Sequence, residues 1–244
     1  MPRPHRSRMR KPAYDWAAAC AHLSAADPRL ARLIARCPAG HQLLLAGNQS
    51  PFEALVESIV YQQLNGKAAA TIHGRMLESF HPVCGIGVHP SPQHILDCPN
   101  TQLRAAGLSA NKQLALRDLA AKTLDGTVPT LAAARKMSDD ALIEHLTQVR
   151  GIGRWTVEMF LLFRLGRPRV LPLGDYGVRK GFALTYLGLK PTQKVTPDLL
   201  PKPDVMLRRA RKWAPFESVA SWYMWRACDL AAESKPSTPQ SKSK

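Results

Sequence analysis

Residues 147–179 read TQVRGIGRWTVEMFLLFRLGRPRVLPLGDYGVR, and two kinds of chemistry are available in them. Gly151, Ile152 and Gly153 permit a very tight turn between two helices, with Ile152 as a plug between them. The backbone N–H groups of Gly153, Arg154 and Trp155 then open the second helix, and a helix start that presents such amides attracts anions. Arg150 and Arg154 add positive charge, so a DNA phosphate is a natural ligand. A grip of this kind positions a nucleic acid and reads no bases. The glycines are not a dinucleotide fingerprint, because they follow a helix and the third glycine is missing. By shape alone the segment is equally an αα-hairpin that joins two core helices. The second chemistry is a lone carboxylate, Asp175, twenty positions beyond Trp155. It can stabilise a developing positive charge or orient and deprotonate a water. An aspartate at a helix start is also a common N-cap, and one residue can serve both ends.

Most of the remaining sequence reads in helical periods, and alternating β-branched runs are nearly absent. Short helices are expected over 15–23 and 28–36. Pro51 opens a stronger one, with Phe52, Leu55, Val56, Ile59 and Val60 spaced for one buried face. Asn65 and Gly66 break it, and Asn65 can cap a helix over 67–80. A Gly/Pro loop is expected over 81–92, followed by helices over 93–96, 101–106, 110–124 and 131–137. Ser138 caps 139–149, with two acids in its first turn to suit the dipole. The run 155–165 is apolar on nearly every side and should cross the core, until 166–168 stops it. Helices over 175–187, 205–213 and 218–230 complete an all-α fold without a repeat period.

The formal net charge is +16. Five basic residues fall in the arm 1–11 and three in the tail 234–244, and subtracting them leaves +8 on residues 12–233. A basic body favours a polyanionic partner, and both extensions are disordered by composition. No apolar run approaches the ~20 residues of a membrane helix, and no apolar segment follows the basic N-terminus, which excludes a secretory signal. The five cysteines are scattered without a Cys-x-x-Cys pair, which argues against disulfides or an iron–sulfur cluster and fits a reducing cytoplasm. His81, Cys84, His89, His94 and Cys98 crowd one segment, but at no familiar zinc spacing, and read as an ordinary loop.

Over 149–175 the chain strongly resembles the helix-hairpin-helix (HhH-GPD) DNA glycosylases, and within them the DNA-3-methyladenine glycosylase II branch. The matching residues are RGIGRWTVEMFLLFRLGRP and VLPLGD, supported by FEALVESIVYQQL (52–64), KAAATI (67–72) and PFESVASWYMWR (215–226). The resemblance covers roughly residues 15–230. It implies two α-helical lobes with an active-site cleft between them. It places the catalytic carboxylate on Asp175 and base-stacking aromatics on Trp155 and Trp225. Tyr176, Met159, Phe52, Trp222 and Tyr223 can line the same pocket, although ordinary core packing is the better reading for most of them. Lyase-competent relatives carry a lysine where Trp155 stands, so the resemblance implies a monofunctional enzyme that leaves an abasic site. It makes Gln63 the side chain inserted into the gap left by an extruded nucleotide. The main-chain carbonyls of Thr147, Val149 and Ile152 would hold a monovalent cation, with no cofactor required. Gly174 stands where a second Asp is frequent and Glu217 where Arg is common, and a cysteine cluster found in some relatives is absent.

These residues suit the chemistry. A base inside a duplex must be flipped out to be reached, at a cost of a few kcal/mol. A wedge that fills the vacancy offsets part of that cost. Methylation at purine N3 or N7 makes the base cationic, and electron-rich rings favour a cation by about 1–2 kcal/mol each when desolvated. The expectation is therefore a cytoplasmic monomer, associated with the nucleoid in a bacterium, acting on double-stranded DNA with alkylated purines. The competing readings are a hairpin protein that binds DNA without catalysis and an enzyme of the same fold for uracil, adenine or oxidised purines.

Overall fold

A computed structural model describes residues 12, 14–37, 43, 45 and 49–233. The expectations for the arm 1–11 and the tail 234–244 lie outside these residues. Every regular element among the described residues is helical, and none of the helices is long and apolar enough to cross a membrane. The chain divides into two compact units. One is built on residues 45–165 and the other on 11–44 together with 166–244.

In the first unit, Ser50 caps the helix Pro51–Tyr61 through a full capping box, its side chain accepting from the Glu53 amide while Glu53 accepts from the Ser50 amide. Phe52, Leu55, Val56, Ile59 and Val60 are all buried, as their spacing predicts. Asn65 accepts from the Ala68 amide and starts Gly66–Ser79. Ala110–Leu124 follows its expected span and packs on Pro51–Tyr61. Ser138 caps Asp139–Leu146, which stops three residues short of the expected end because Thr147 already forms the C-cap.

Other ends shift by up to three residues, as in Trp16–Ala26 and Pro203–Ala210 for the expected 15–23 and 205–213, and two segments differ in kind. The predicted loop 81–92 contains the single helical turn His81–Cys84, where a proline in the first turn has no amide to lose. The predicted helix 155–165 is α-helical only over Arg154–Phe160 and widens into a π-helix over Leu161–Leu165. Arg164 in that π-helix pairs with Glu57 at 2.6 Å. Gly166, at φ +67, ends the segment in the left-handed conformation that glycine adopts without steric cost.

The second unit packs Trp16–Ala26, Pro28–Arg36, Tyr176–Tyr186 and Pro203–Ala210 around the long helix Glu217–Glu233. Leu23, Leu30, Val178, Trp213 and Met224 are fully buried there. Each such aliphatic or aromatic side chain contributes about 1.5–3 kcal/mol by leaving water. Fully buried Asp27 ties three elements together. Its Oδ1 caps Pro28–Arg36, and its Oδ2 accepts from Tyr186 Oη (3.0 Å) and Trp213 Nε1 (3.3 Å). Arg209 lies 3.5 Å from the same oxygen and balances the charge. Gly181 lets Tyr176–Tyr186 press directly onto Glu217–Glu233, since a Cβ there would overlap the Met224 carbonyl.

Candidate functional site

In the first unit, Gly151 sits at φ +78, the left-handed turn that the Gly-Ile-Gly sequence allows. Ile152 is buried, and its amide bonds to the Val149 carbonyl at 3.0 Å. Gly153 is the N-cap of Arg154–Phe160, and no side chain caps that helix. A Cβ on Gly153 would meet nothing within 4 Å, so the approach to the helix start is open. Arg150 is exposed, whereas Arg154 is drawn along its own helix to Glu158 at 3.1 Å. Thr147 is exposed, and its hydroxyl donates to the Ile143 carbonyl.

The helix Ala110–Leu124 braces this hairpin with residues that sequence reasoning did not single out. Asp118 Oδ2 accepts the Arg150 amide at 2.6 Å, and both carboxylate oxygens lie 2.7 Å from Lys122 Nζ. Burial pushes the Asp118 carboxyl up, but the Lys122 and Arg150 contacts outweigh it and hold the group below the usual carboxylate range. One turn earlier, Ala115 lies beneath Gly151. Another three residues back, Lys112 Nζ donates to the carbonyls of Val60 (2.6 Å) and Gln62 (2.8 Å). Gln62 Nε2 donates to the Gly151 carbonyl at 2.8 Å. Gln63 is therefore the glutamine left exposed at this turn, and it stands at φ +58. It is the one non-glycine with positive φ among the described residues. A left-handed conformation costs an L-residue about 1–2 kcal/mol, so surrounding contacts must enforce it.

The carboxylate belongs to the second unit. Asp175 is 9% exposed and is the N-cap of Tyr176–Tyr186. Its Oδ1 accepts from the Val178 amide at 2.7 Å and from Trp225 Nε1 at 2.8 Å. The segment that delivers it is sewn to Glu217–Glu233 by two serines. Ser218 accepts from the Val170 amide (2.9 Å) and donates to the Arg167 carbonyl, while Ser221 contacts the Val170 carbonyl (3.2 Å). Gly177 makes room for the indole, because a Cβ there would lie 2.6 Å from Trp225 Cδ1.

Of the expected pocket residues, Asp175, Tyr176 and Trp225 lie in the second unit, and Trp155 and Met159 in the first. Trp155 and Tyr176 are 50% and 57% exposed, large fractions for aromatic rings, while Met159 and Trp225 are half-buried. Phe52 and Tyr223 are core, and Trp222 lies under the Arg226 guanidinium. Glu217 pairs with Arg169 at 3.7 Å, and Gly174 has open space where a side chain would project. In the cysteine- and histidine-rich segment, Cys84 Sγ lies 3.0 Å from His94 Nδ1, which also accepts the Ser91 amide in a helix cap.

Residues 56–203 match the family model of the HhH-GPD superfamily of base excision DNA repair proteins. The chain belongs to that superfamily. The matched span includes the turn at Gln63, the hairpin and Asp175. The chain is 36% identical over 219 residues to DNA-3-methyladenine glycosylase 1 of Schizosaccharomyces pombe, covering 90% of each. It is 28% identical over 191 residues to DNA-3-methyladenine glycosylase 2 of Escherichia coli, covering 75% of this chain and 60% of that one. Among solved structures, the S. pombe 3-methyladenine DNA glycosylase in complex with abasic DNA aligns with a TM-score of 0.69 at 34% identity, over 89% of this chain and all of that one. DNA-3-methyladenine glycosidase from Bacillus halodurans aligns at 0.73 and 32% identity, over 88% and 91%. The all-α architecture is that of these HhH-GPD proteins.

Proposed function

We propose that this HhH-GPD protein is a monofunctional DNA glycosylase that excises alkylated purines of the 3-methyladenine and 7-methylguanine type from duplex DNA. The observation that carries the reading is the carboxylate of Asp175, held by a helix-cap amide and by the Trp225 indole. Two N–H donors fix its position.

The hairpin residues Arg150, Gly151, Gly153 and Arg154 take a backbone phosphate at the uncapped helix start. Gln63 fills the gap left by the flipped nucleotide. The rings of Trp155, Trp225 and Tyr176, with the Met159 thioether, select a cationic base by its electronics. As the bond between C1′ and the purine nitrogen breaks, its electron pair goes to the base, which leaves neutral if it was a methylated cation. Positive charge grows on the sugar, and the Asp175 carboxylate stabilises it. Water then bonds to C1′ and gives up its proton to Asp175 or to solvent. Trp155 has no amine with which to form a Schiff base, so the strand stays intact at an abasic site.

The carbonyls of Thr147, Val149 and Ile152 are neutral oxygen donors of the kind that suit a hard monovalent cation. The Val149 oxygen spends one lone pair on the Ile152 amide and keeps the second for such an ion. Bound there, the cation would add positive charge beside the phosphate grip; no cofactor takes part in the bond cleavage. The basic body suits a monomer that meets double-stranded DNA in the cytoplasm or nucleoid.

The test is release of free methylated purines from alkylated duplex DNA by the wild type and by Asp175→Asn. Asparagine keeps a cap acceptor, so the variant should fold and bind DNA yet lose at least a hundredfold in rate. Faster release of uracil, adenine or oxidised purines would replace the substrate class. Equal loss of DNA affinity and activity would make Asp175 a structural cap and the protein a binder.

A further inference from the structure

The turn that carries Gln63 is closed by a backbone bond from the Leu64 amide to the Tyr61 carbonyl at 3.3 Å, but its third position stands at φ +58, which favours glycine, so a glutamine there draws on support from outside the turn. Gln62 and Gln63 follow the last turn of Pro51–Tyr61, where the final carbonyls of a helix lack intrahelical donors. Two of those oxygens, on Val60 and Gln62, converge on one ammonium, Lys112 Nζ. The Gln62 side chain meanwhile reaches across to the hairpin, to Gly151. Held by its own carbonyl on one side and its side-chain amide on the other, residue 62 supports from outside the turn in which Gln63 stands in the left-handed region.

We propose that Lys112 is a positioning residue that pins this turn, so that Gln63 stands ready for insertion into the DNA helix. Through Gln62, the same pin couples the turn to the phosphate-gripping hairpin. The inference rests on the reading of Gln63 as the inserted side chain. Lys112 and Gln63 line one hollow of about 430 Å³, together with Ser109, Arg150 and Gly151, so brace, turn and hairpin form one local assembly. Lys112 is itself half-buried, and burial pushes its ammonium down from the ordinary lysine range. A lysine kept there against desolvation is consistent with work on carbonyls, whereas one reaching freely for phosphate needs no burial. A charge on these carbonyls also opposes the negative end of the Pro51–Tyr61 dipole.

An inserted side chain matters only where a base pair must be broken. The experiment compares one methylated purine placed in a fully paired duplex and in an unpaired bubble within otherwise identical DNA. Lys112→Met should slow excision from the duplex about tenfold and from the bubble less than twofold. Lys112→Arg, which can still donate to both carbonyls, should restore most of the duplex rate. In the Lys112→Met/Gln63→Ala double variant, the loss should be no greater than for Gln63→Ala alone, because both changes remove the same action. Multiplying losses would show that Lys112 acts on its own, as a phosphate contact does, and would overturn the inference. Equal losses on duplex and bubble would make it a general structural residue and overturn it likewise. Wild-type protein that releases methylated purine from neither DNA would instead overturn the functional reading itself.

Discussion

Trp225 and Asp175, fifty residues apart in sequence, meet through a 2.8 Å hydrogen bond from the indole nitrogen to the carboxylate. The ring can do so because residue 177, the second residue of the helix that Asp175 caps, has no side chain. A Cβ at Gly177 would lie 2.6 and 2.9 Å from the indole Cδ1 and Nε1, and 3.2 Å from Asp175 Oδ1. Beyond the stacking role proposed for it, Trp225 holds the carboxylate with the edge of its ring.

Gly177→Ala should therefore separate stability from catalysis. In a helix interior, alanine is favoured over glycine by about 1 kcal/mol, which offsets part of the strain of a displaced indole. Thermal unfolding should change little, while single-turnover excision falls about tenfold, equivalent to a loss of about 1.4 kcal/mol in the barrier. Trp225→Phe, which keeps an aromatic face and removes the N–H, should show a similar loss. Full activity in both variants would remove this hydrogen bond from the mechanism.

Asp27 tests what holds the second unit together. Asp27→Ala leaves Arg209, Tyr186 and Trp213 without their shared acceptor and uncaps Pro28–Arg36. The loss should be about 3–5 kcal/mol, the range for breaking a buried charged network from one side. Chemical denaturation would register it as a lower midpoint, and an unfolding free energy within about 1 kcal/mol of wild type would show that the network is energetically idle.

Local chemistry was legible in the sequence because it acts within three or four residues. Asn65, Ser138 and Asp175 all cap the helices expected of them. Gly151 takes the left-handed turn that its place in Gly-Ile-Gly suggests. Two of the helix ends that slipped, at Leu146 and Phe160, are settled by a C-cap and by a change to π-helical winding, neither of which leaves a periodic trace. The contacts that hold the candidate site are distant pairings: Trp225 to Asp175, Asp118 to Arg150 and Lys112 to Val60. Periodicity says which face of a helix is buried but not which side chain from another element meets it. Gly177 and Gly181 did leave a signal, as two glycines four apart inside a helix, where each is unfavourable unless something approaches closely.

The Asp118 brace gives a pH prediction. Its carboxyl is held below the usual range when folded, so its contribution is present above the unfolded value near 4 and lost as pH falls through the lower folded value. Asp118→Asn should lower stability by about 1 kcal/mol, a figure discounted for partial exposure. That difference should stay flat from pH 8 to about 5 and shrink below about 4. Unfolding curves for both proteins across this range would check it, and a gap that widened in acid would reverse the sign.

Arg150 and Arg154 should differ as phosphate contacts although they flank the same turn. The exposed side chain of Arg150 can meet a phosphate directly, whereas Arg154 must first leave its ion pair with buried Glu158. With about four phosphate contacts, DNA affinity should fall on the order of a hundredfold between 50 and 200 mM salt. Arg150→Ala should reduce the slope of log affinity against log salt by about one. Arg154→Ala should reduce it by less and also remove one partner of buried Glu158, so its affinity loss should be accompanied by lower thermal stability. Glu158→Gln provides the control, because releasing Arg154 should tighten DNA binding and steepen the salt slope. Equal slopes for all three variants and wild type would place the DNA backbone contacts away from this hairpin.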